Sequence, residues 1–280
     1  MNNLAKRTIT GIFLIIIVLG GIWLHPISCL LIGGIVLTGS VYEYYKLIGA
    51  TGTNPQKAAG IITAITIYLI SVFVASGVLD SLFYLIVIAE LMFIIIAELF
   101  RKQEKPFDAI AQTVFGLVFT SVPFSLFPFM TFGFQGPGTI LQGNVYDFSP
   151  GLILGVFILS WGFDIAAYLF GSWFGKHKLV ARISPEKSWE GFLIGLVVTV
   201  MIAWLISLWI KTPDITGWVI VGIIVAVTGT LGDLAESMLK RSAGVKDSGS
   251  LLPGHGGILD RFDSLILSIP FVFLYTVLFA

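Results

Sequence analysis

The sequence is short of charge and almost free of cysteine. Its 16 Lys and Arg and 16 Asp and Glu make up 11% of the 280 residues, against about 25% in soluble domains, which is too few to cover a water-soluble globule. The balanced charge also argues against a general nucleic-acid binder. A single cysteine, Cys29, excludes an internal disulfide and a cysteine-based zinc site. Hydrophobic residues instead reach 56%, and this composition predicts a protein that crosses the membrane several times.

Apolar runs long enough to cross a bilayer recur along the whole chain. A helix needs about 20 apolar residues to cross the hydrocarbon core, where backbone amides find no water. We therefore predict an all-α, polytopic membrane bundle of about nine transmembrane helices, approximately at residues 8–24, 27–46, 58–77, 80–100, 109–131, 151–172, 191–210, 214–238 and 258–279.

The positive charges are distributed unevenly between the two sides of such a bundle. If the N-terminus is cytoplasmic, 15 of the 16 Lys and Arg residues lie on the cytoplasmic side, and Lys211 lies outside. Lys and Arg in short loops resist translocation, so this asymmetry predicts a cytoplasmic N-terminus. The long loop 132–150 carries no cation and fits the outer side. The C-terminus is then expected outside.

Several acids fall within the predicted spans. Asp164 lies mid-span, where a charge costs at least about 2.5 kcal/mol, so it should face a wet cavity or a partner. A neutral carboxylic acid that packs between helices is the alternative for Asp164. In the first half, Glu43, Glu90 and Glu98 lie near predicted helix ends or on one face. For these three, snorkelling or pairing between helices is the favoured interpretation.

Two successive helices are predicted to carry acidic faces beside their shared loop. Carboxylates held close together repel one another unless a cation lies between them, and hard oxygen ligands suit Mg²⁺. An ordinary i,i+4 ion pair explains Glu236 and Lys240 equally well, but it explains Asp233, one turn deeper, badly. The two faces are formed by Asp233, Glu236, Ser237, Lys240, Asp260, Asp263 and Ser264.

The loop between these helices, residues 246–257, is rich in glycine and flanked by cations. Glycines let backbone amides turn inward, and the following helix start adds partial positive charge, so the loop is expected to bind phosphate oxygens. His255, within it, is more typical of a hydrogen-bond partner than of a base.

A second polar segment, residues 183–191, precedes the seventh apolar run. Ser184-Pro185 followed by acids is a typical helix start, which alone explains the segment. As an alternative, Lys187 and Ser188 are suited to reach a triphosphate.

These motifs resemble those of the CDP-diacylglycerol synthase (phosphatidate cytidylyltransferase) family, and the resemblance covers about residues 155–265. In segment 183–191 the chain departs from the family, because Glu186-Lys187-Ser188 stands where Lys-Lys-Thr is common. Elsewhere the family signature is matched without departure over 27 positions, as Ser237-Met238-Leu239-Lys240-Arg241, Lys246-Asp247-Ser248-Gly249 and Pro253-Gly254-His255-Gly256-Gly257-Ile258-Leu259-Asp260-Arg261-Phe262-Asp263.

The resemblance implies transfer of the cytidylyl group of CTP to phosphatidate, with Mg²⁺ (two divalent or mixed cations), giving CDP-diacylglycerol and pyrophosphate. It assigns metal binding to Asp233, Asp260 and Asp263, with Lys240 and Arg261 as further catalytic residues. The residues expected to bind substrate or nucleotide are Asp164, Lys187, Ser188, Arg241, Lys246, Asp247, Ser248, Gly249, Gly254, His255, Gly256 and Gly257.

Further expectations concern the whole protein, and among them the homodimer comes from the resemblance. We expect one membrane domain, in which residues 1–150 form a scaffold and dimerisation half and residues 151–280 form the catalytic half. A homodimer in a bacterial inner membrane, with its site facing the cytoplasm, is the expected assembly.

Two other functions fit parts of the pattern. A CTP-dependent lipid or polyprenol kinase would use a similar nucleotide site but would transfer the γ-phosphoryl group. An ion-coupled transporter would use Asp164, Asp233 and Asp260 as a cation path. Transport needs acids through the depth of the membrane, whereas Asp260 and Asp263 lie beside a loop at one surface, which favours chemistry.

Overall fold

A computed structural model describes residues 3–132, 148–249 and 256–279. Within them, eight helical segments are long and apolar enough to cross a membrane, in addition to the N-terminal helix. The helices are α1 Asn3–Leu24, α2 Pro26–Ala50, α3 Lys57–Ala75, α4 Leu85–Glu98, α5 Pro106–Gly116, α6 Val122–Ser125, α7 Gly151–Phe174, α8 Trp189–Trp209, α9 Ile215–Ser242 and α10 Leu259–Phe279.

Two of the spans are composite. A 3-10 turn, Ser81–Tyr84, leads into α4. A π-helical turn, Leu117–Ser121, joins α5 to α6, so that Pro106–Met130 forms one span. Each of the nine predicted apolar runs is therefore helical in the structure, and the all-α fold class is confirmed.

The polar end of α9 extends this helix beyond its apolar run. The apolar run was expected to end at residue 238, but α9 continues to Ser242. Hydropathy falls at Glu236, whereas the helix continues because Lys240, one turn later, pairs with this acid at 2.5 Å. A hydropathy scan finds where apolar residues stop, which is not where a helix must end.

A short antiparallel hairpin separates α7 from α8. Its strands are β1 Lys178–Val180 and β2 Ser184–Ser188. The helix start expected at Ser184-Pro185 was wrong, because residues Ser184–Ser188 pair with β1 as a strand. The helix begins instead at Trp189, where the Ser188 hydroxyl accepts a 3.2 Å hydrogen bond from the Gly191 amide.

The second half of the chain packs around α9. Helices α7, α8 and α10 all contact α9, and the fully buried Trp218 of α9 lies against Gly155 of α7. The core is continuous with the first half, because α10 contacts α2 and α6, and Gly39 of α2 lies against Ile258. The outer surface is strongly apolar, with side chains such as Phe100 exposed, as expected for a surface that faces lipid.

Glu90 and Glu98 confirm the predicted pairing role within the first half of the chain. Glu90 of α4 accepts a 2.9 Å hydrogen bond from Thr66 of α3. Glu98 accepts hydrogen bonds from Gln56, which precedes α3, and from Arg101, at 2.6 and 2.7 Å. Both acids therefore link α4 to neighbouring segments.

Candidate active site

Two glycines let α9 and α10 approach each other where their acidic faces meet. A Cβ atom at Gly232 would lie 2.6 Å from the carbonyl oxygen of Asp263. One turn earlier, a Cβ atom at Gly229 would lie 3.4 Å from the Cβ atom of Ser264. A larger residue at position 232 would push the helices apart. Glycine thus allows the end of α9 and the start of α10 to share one site.

Carboxyl groups from three helices come together at this contact. Asp164 of α7 accepts a 3.4 Å hydrogen bond from the Ser264 hydroxyl. Asp263 of α10 accepts a 2.7 Å hydrogen bond from the Ser264 amide, and it lies within electrostatic reach of three other acids. We call these four residues the acidic cluster: Asp164, Asp233, Glu236 and Asp263.

Lys187 of β2 brings a positive charge to the acidic cluster. Its Nζ atom lies 2.5 Å from Oδ2 of Asp233, and its charge also acts on Asp164. The Ser237 hydroxyl donates to Oδ1 of Asp233 at 3.2 Å. The side chains of Lys187 and Asp233 are 25% and 27% exposed, so this ion pair lies where the cluster reaches the surface.

Asp260 ties the start of α10 to the end of α9 and to the loop between them. Lys240 Nζ lies 2.8 Å from Oδ1 of Asp260 and 2.5 Å from Oε2 of Glu236, so this lysine joins the two helices. The amides of Ser248 and Gly257 donate to Oδ2 of Asp260 at 2.9 and 2.8 Å. Both Asp260 and Asp233 have donors on each oxygen, but only Asp260 is held by backbone amides, which favours an organising role for this carboxylate.

The acidic cluster suits a divalent cation by its chemistry. Carboxylate oxygens are the ligands that Mg²⁺ prefers, and mutual repulsion of acids is relieved by a cation. Across the described ranges, no group of three or more His, Cys, Asp and Glu is already arranged to hold a metal ion. A Mg²⁺ ion that takes two carboxylates from protein and completes its shell with water and substrate oxygens fits both observations.

The remaining predicted site residues differ in their surroundings. Ser188 is buried and caps α8, and this capping bond accounts for its hydroxyl. Gly256 has a φ angle of 83°, a left-handed conformation that favours glycine. Gly254 and His255 lie outside the described residues. Three cations and one acid are exposed near the α9–α10 contact: Arg241, Lys246, Asp247 and Arg261.

Glu43 of α2 also belongs to the surroundings of the site, which the sequence did not indicate. It is only 1% exposed, so for this acid snorkelling is wrong and the other predicted role, pairing between helices, is confirmed. Its Oε2 atom accepts hydrogen bonds from the Leu259 amide at 2.8 Å and from the Ser248 hydroxyl at 3.1 Å. The only signal in the sequence was that Glu43 is an acid inside an apolar run. Glu90 and Glu98 share this feature, so the sequence did not distinguish Glu43 from these two acids.

Nearly the whole described fold, including the site, lies within one family match. The profile of the cytidylyltransferase family matches residues 5–279. A chloroplastic protein of Arabidopsis thaliana named phosphatidate cytidylyltransferase 4 is 32% identical over 294 aligned positions, covering 95% of this chain and 72% of its own length.

Bacterial relatives are more similar over shorter segments. A phosphatidate cytidylyltransferase of Haemophilus influenzae is 46% identical over 125 residues, which is 43% of this chain and 43% of that protein. One of Staphylococcus aureus is 42% identical over 170 residues, which is 58% of this chain and 65% of that protein. The matched segments thus span less than two thirds of these bacterial relatives.

Proposed function

The chain belongs to the cytidylyltransferase family, and from this membership we propose that it transfers the cytidylyl group of CTP to phosphatidate. An oxygen of the lipid phosphate attacks the α-phosphorus of CTP. The bond from this phosphorus to the bridging oxygen of the β-phosphate breaks, and CDP-diacylglycerol and pyrophosphate form. The observation that carries the proposal is the family match over nearly the whole chain, to which relatives named for this activity add support.

The chemistry of the site supports this reaction. Both reactants are anions, which repel each other unless positive charge brings them together. Lys187 borders the acidic cluster at the surface, and Arg241, Lys246 and Arg261 are exposed nearby. We assign phosphate binding to these cations. A phosphate monoester is already nucleophilic at neutral pH, so no general base is assigned, and His255 keeps no catalytic role in the proposal.

Asp233 and Asp263 are the residues that we propose to hold Mg²⁺. The bound ion would neutralise negative charge that develops on phosphate oxygens during the transfer. Asp164 and Glu236 add negative potential around these two ligands. Asp260, which the resemblance also assigns to the metal, contributes in this proposal by holding Lys240 and the loop in place.

The proposed location of the site follows from its substrates. The acyl chains of phosphatidate stay in lipid and CTP stays in water, so the site must lie near one membrane surface. The distribution of Lys and Arg favours the cytoplasmic surface. On the same grounds we propose a multi-pass protein of the bacterial inner membrane with a cytoplasmic N-terminus. The homodimer rests on the family resemblance alone.

Labelled CTP tests the proposal against the kinase alternative. Purified protein in detergent is incubated with phosphatidate, Mg²⁺ and CTP labelled at the α-phosphorus. We expect the label in the lipid product together with equimolar pyrophosphate. Label found only in released CDP would contradict cytidylyl transfer and support the kinase.

A further inference from the structure

Glu43 connects the first half of the chain to the site across more than 200 residues of sequence. The carboxylate is fully enclosed, with a 1% exposed side chain. Its Oε2 atom accepts the amide of Leu259, the first residue of α10, and the hydroxyl of Ser248, at the other described end of the loop. A single oxygen of α2 therefore holds both described ends of the loop that joins α9 to α10.

The glycines at these two ends leave room for the Glu43 carboxyl group. A Cβ atom at Gly249 would lie 2.8 Å from Cδ of Glu43, and one at Gly257 would lie 2.6 Å from the same atom. Either substitution would force the carboxyl group to move. The sequence suggested that these glycines serve a phosphate, but their surroundings give a further reason for them, namely the close approach of a buried acid.

Ser248 is shared between Glu43 and Asp260. Its hydroxyl lies 3.1 Å from Oε2 of Glu43 and 2.9 Å from Oδ2 of Asp260, and it has one proton to donate. Its amide donates to Asp260 as well. The backbone at Ser248 is therefore fixed between two carboxylates, one on α2 and one on α10.

We propose that Glu43 is a positioning residue for the nucleotide. It sets the separation between Ser248 and Leu259, and so fixes the described ends of the loop that is proposed to receive the triphosphate of CTP. Glu43 does not touch substrate in this proposal. The inference rests on the proposed function, which identifies the nucleotide as CTP. It gives α2 a part in CTP binding in addition to the place of this helix in the scaffold.

Variants of Glu43 and of Glu98 form a matched set. Glu98 is also a buried acid, 4% exposed, and one of its oxygens accepts two hydrogen bonds, as in Glu43. Glu43→Leu removes the accepting oxygen while keeping a side chain of similar size, and Glu43→Asp draws the carboxylate back by one methylene group. Glu43→Gln keeps a carbonyl oxygen that can accept both hydrogen bonds. Glu98→Leu removes the same number of acceptor bonds away from the loop.

The expected result is a selective effect on CTP. Glu43→Leu and Glu43→Asp should raise the KM for CTP by at least about tenfold, the scale of losing two ordinary hydrogen bonds. The KM for phosphatidate should stay unchanged, and Glu43→Gln should restore most of the CTP affinity. Glu98→Leu should lower thermal stability without changing the KM for CTP.

Hydrogen exchange supplies a readout that does not depend on activity. Amides of residues 256–262 should exchange faster in Glu43→Leu or Glu43→Asp than in the wild type, and Glu98→Leu should leave them unchanged. If the wild type makes no CDP-diacylglycerol, the proposed function fails while this measurement still decides whether Glu43 holds the loop.

Three results would overturn the inference. The first is a KM for CTP that is unchanged in Glu43→Asp. The second is an equal rise for both substrates, which would indicate general destabilisation. The third is Glu43→Gln as damaging as Glu43→Leu, which would mean that charge rather than the accepting oxygen matters.

Discussion

Lys187 and Asp233 form an ion pair between the hairpin and α9, with 2.5 Å between Nζ and Oδ2. The pair joins two segments that are 46 positions apart in the sequence. A cation held beside a cluster of acids reduces their mutual repulsion. Its side chain is still partly exposed, which agrees with the proposal that Lys187 binds a phosphate.

Lys187→Ala should weaken CTP binding. Loss of a charged phosphate contact costs about 1.5–3 kcal/mol, so the KM for CTP should rise by at least about tenfold. Steady-state kinetics with varied CTP at saturating phosphatidate measure this effect. Lys178→Ala, on the exposed part of β1, is the control. An unchanged CTP dependence in Lys187→Ala would refute its role.

Asp233→Asn and Asp263→Asn should each reduce turnover by at least about 100-fold, the scale of losing one electrostatic group at a reacting centre. Both variants should still insert and purify, because Asn keeps the size of the side chain. Asp108→Asn, at an exposed position of α5, should be as active as the wild type. Near-normal turnover of either site variant at saturating Mg²⁺ would remove that residue from the metal site.

Gly232→Ala should lower both stability and turnover. The added methyl group would lie 2.6 Å from the carbonyl oxygen of Asp263, so α9 and α10 must separate at the acidic cluster. Gly20→Ala is a matched control in α1, because a Cβ atom there meets nothing within 4 Å. Thermal unfolding and activity in detergent compare the two. A Gly232→Ala protein as stable and active as Gly20→Ala would show that the close contact is not required.

Membrane orientation can be tested with the single native cysteine removed. Cys29 is fully buried, and Cys29→Ala provides a background for Lys102→Cys and Lys211→Cys. An impermeant thiol reagent added to intact cells should label the Lys211→Cys protein and should not label Lys102→Cys until the membrane is opened. The reverse pattern would place the N-terminus, and with it the site, on the other side.

Hydropathy predicted the helices well because an apolar segment in lipid must form its backbone hydrogen bonds within itself, and a helix does so. The expected run at 151–172 became Gly151–Phe174, and the run at 258–279 became Leu259–Phe279. The hairpin before α8 was missed because its strands are short and polar. Ser188 rather than Ser184 caps the helix, and that choice depends on pairing with β1, which a local helix-start pattern does not contain.

The site was predictable where residues are close in sequence and unpredictable where the partner is distant. The spacing of Glu236 and Lys240 indicated their ion pair, and the structure contains it. Glu43 lies 205 residues from Ser248 and 216 from Leu259, and no periodicity connects such positions. The donors to Asp260 come from backbone amides of the loop, whose direction depends on the fold.

The central claim is that acids of α9 and α10 bind a divalent cation, and binding of Mn²⁺ in the presence of CTP tests it most directly. Electron paramagnetic resonance measures the concentration of free Mn²⁺. The account predicts that the wild type binds Mn²⁺ with CTP, and that Asp233→Asn and Asp263→Asn each bind it at least about tenfold more weakly, since each loses a charged ligand. Asp108→Asn should bind as the wild type does. Equal Mn²⁺ affinity in all four proteins would contradict a cation site formed by the acids of α9 and α10.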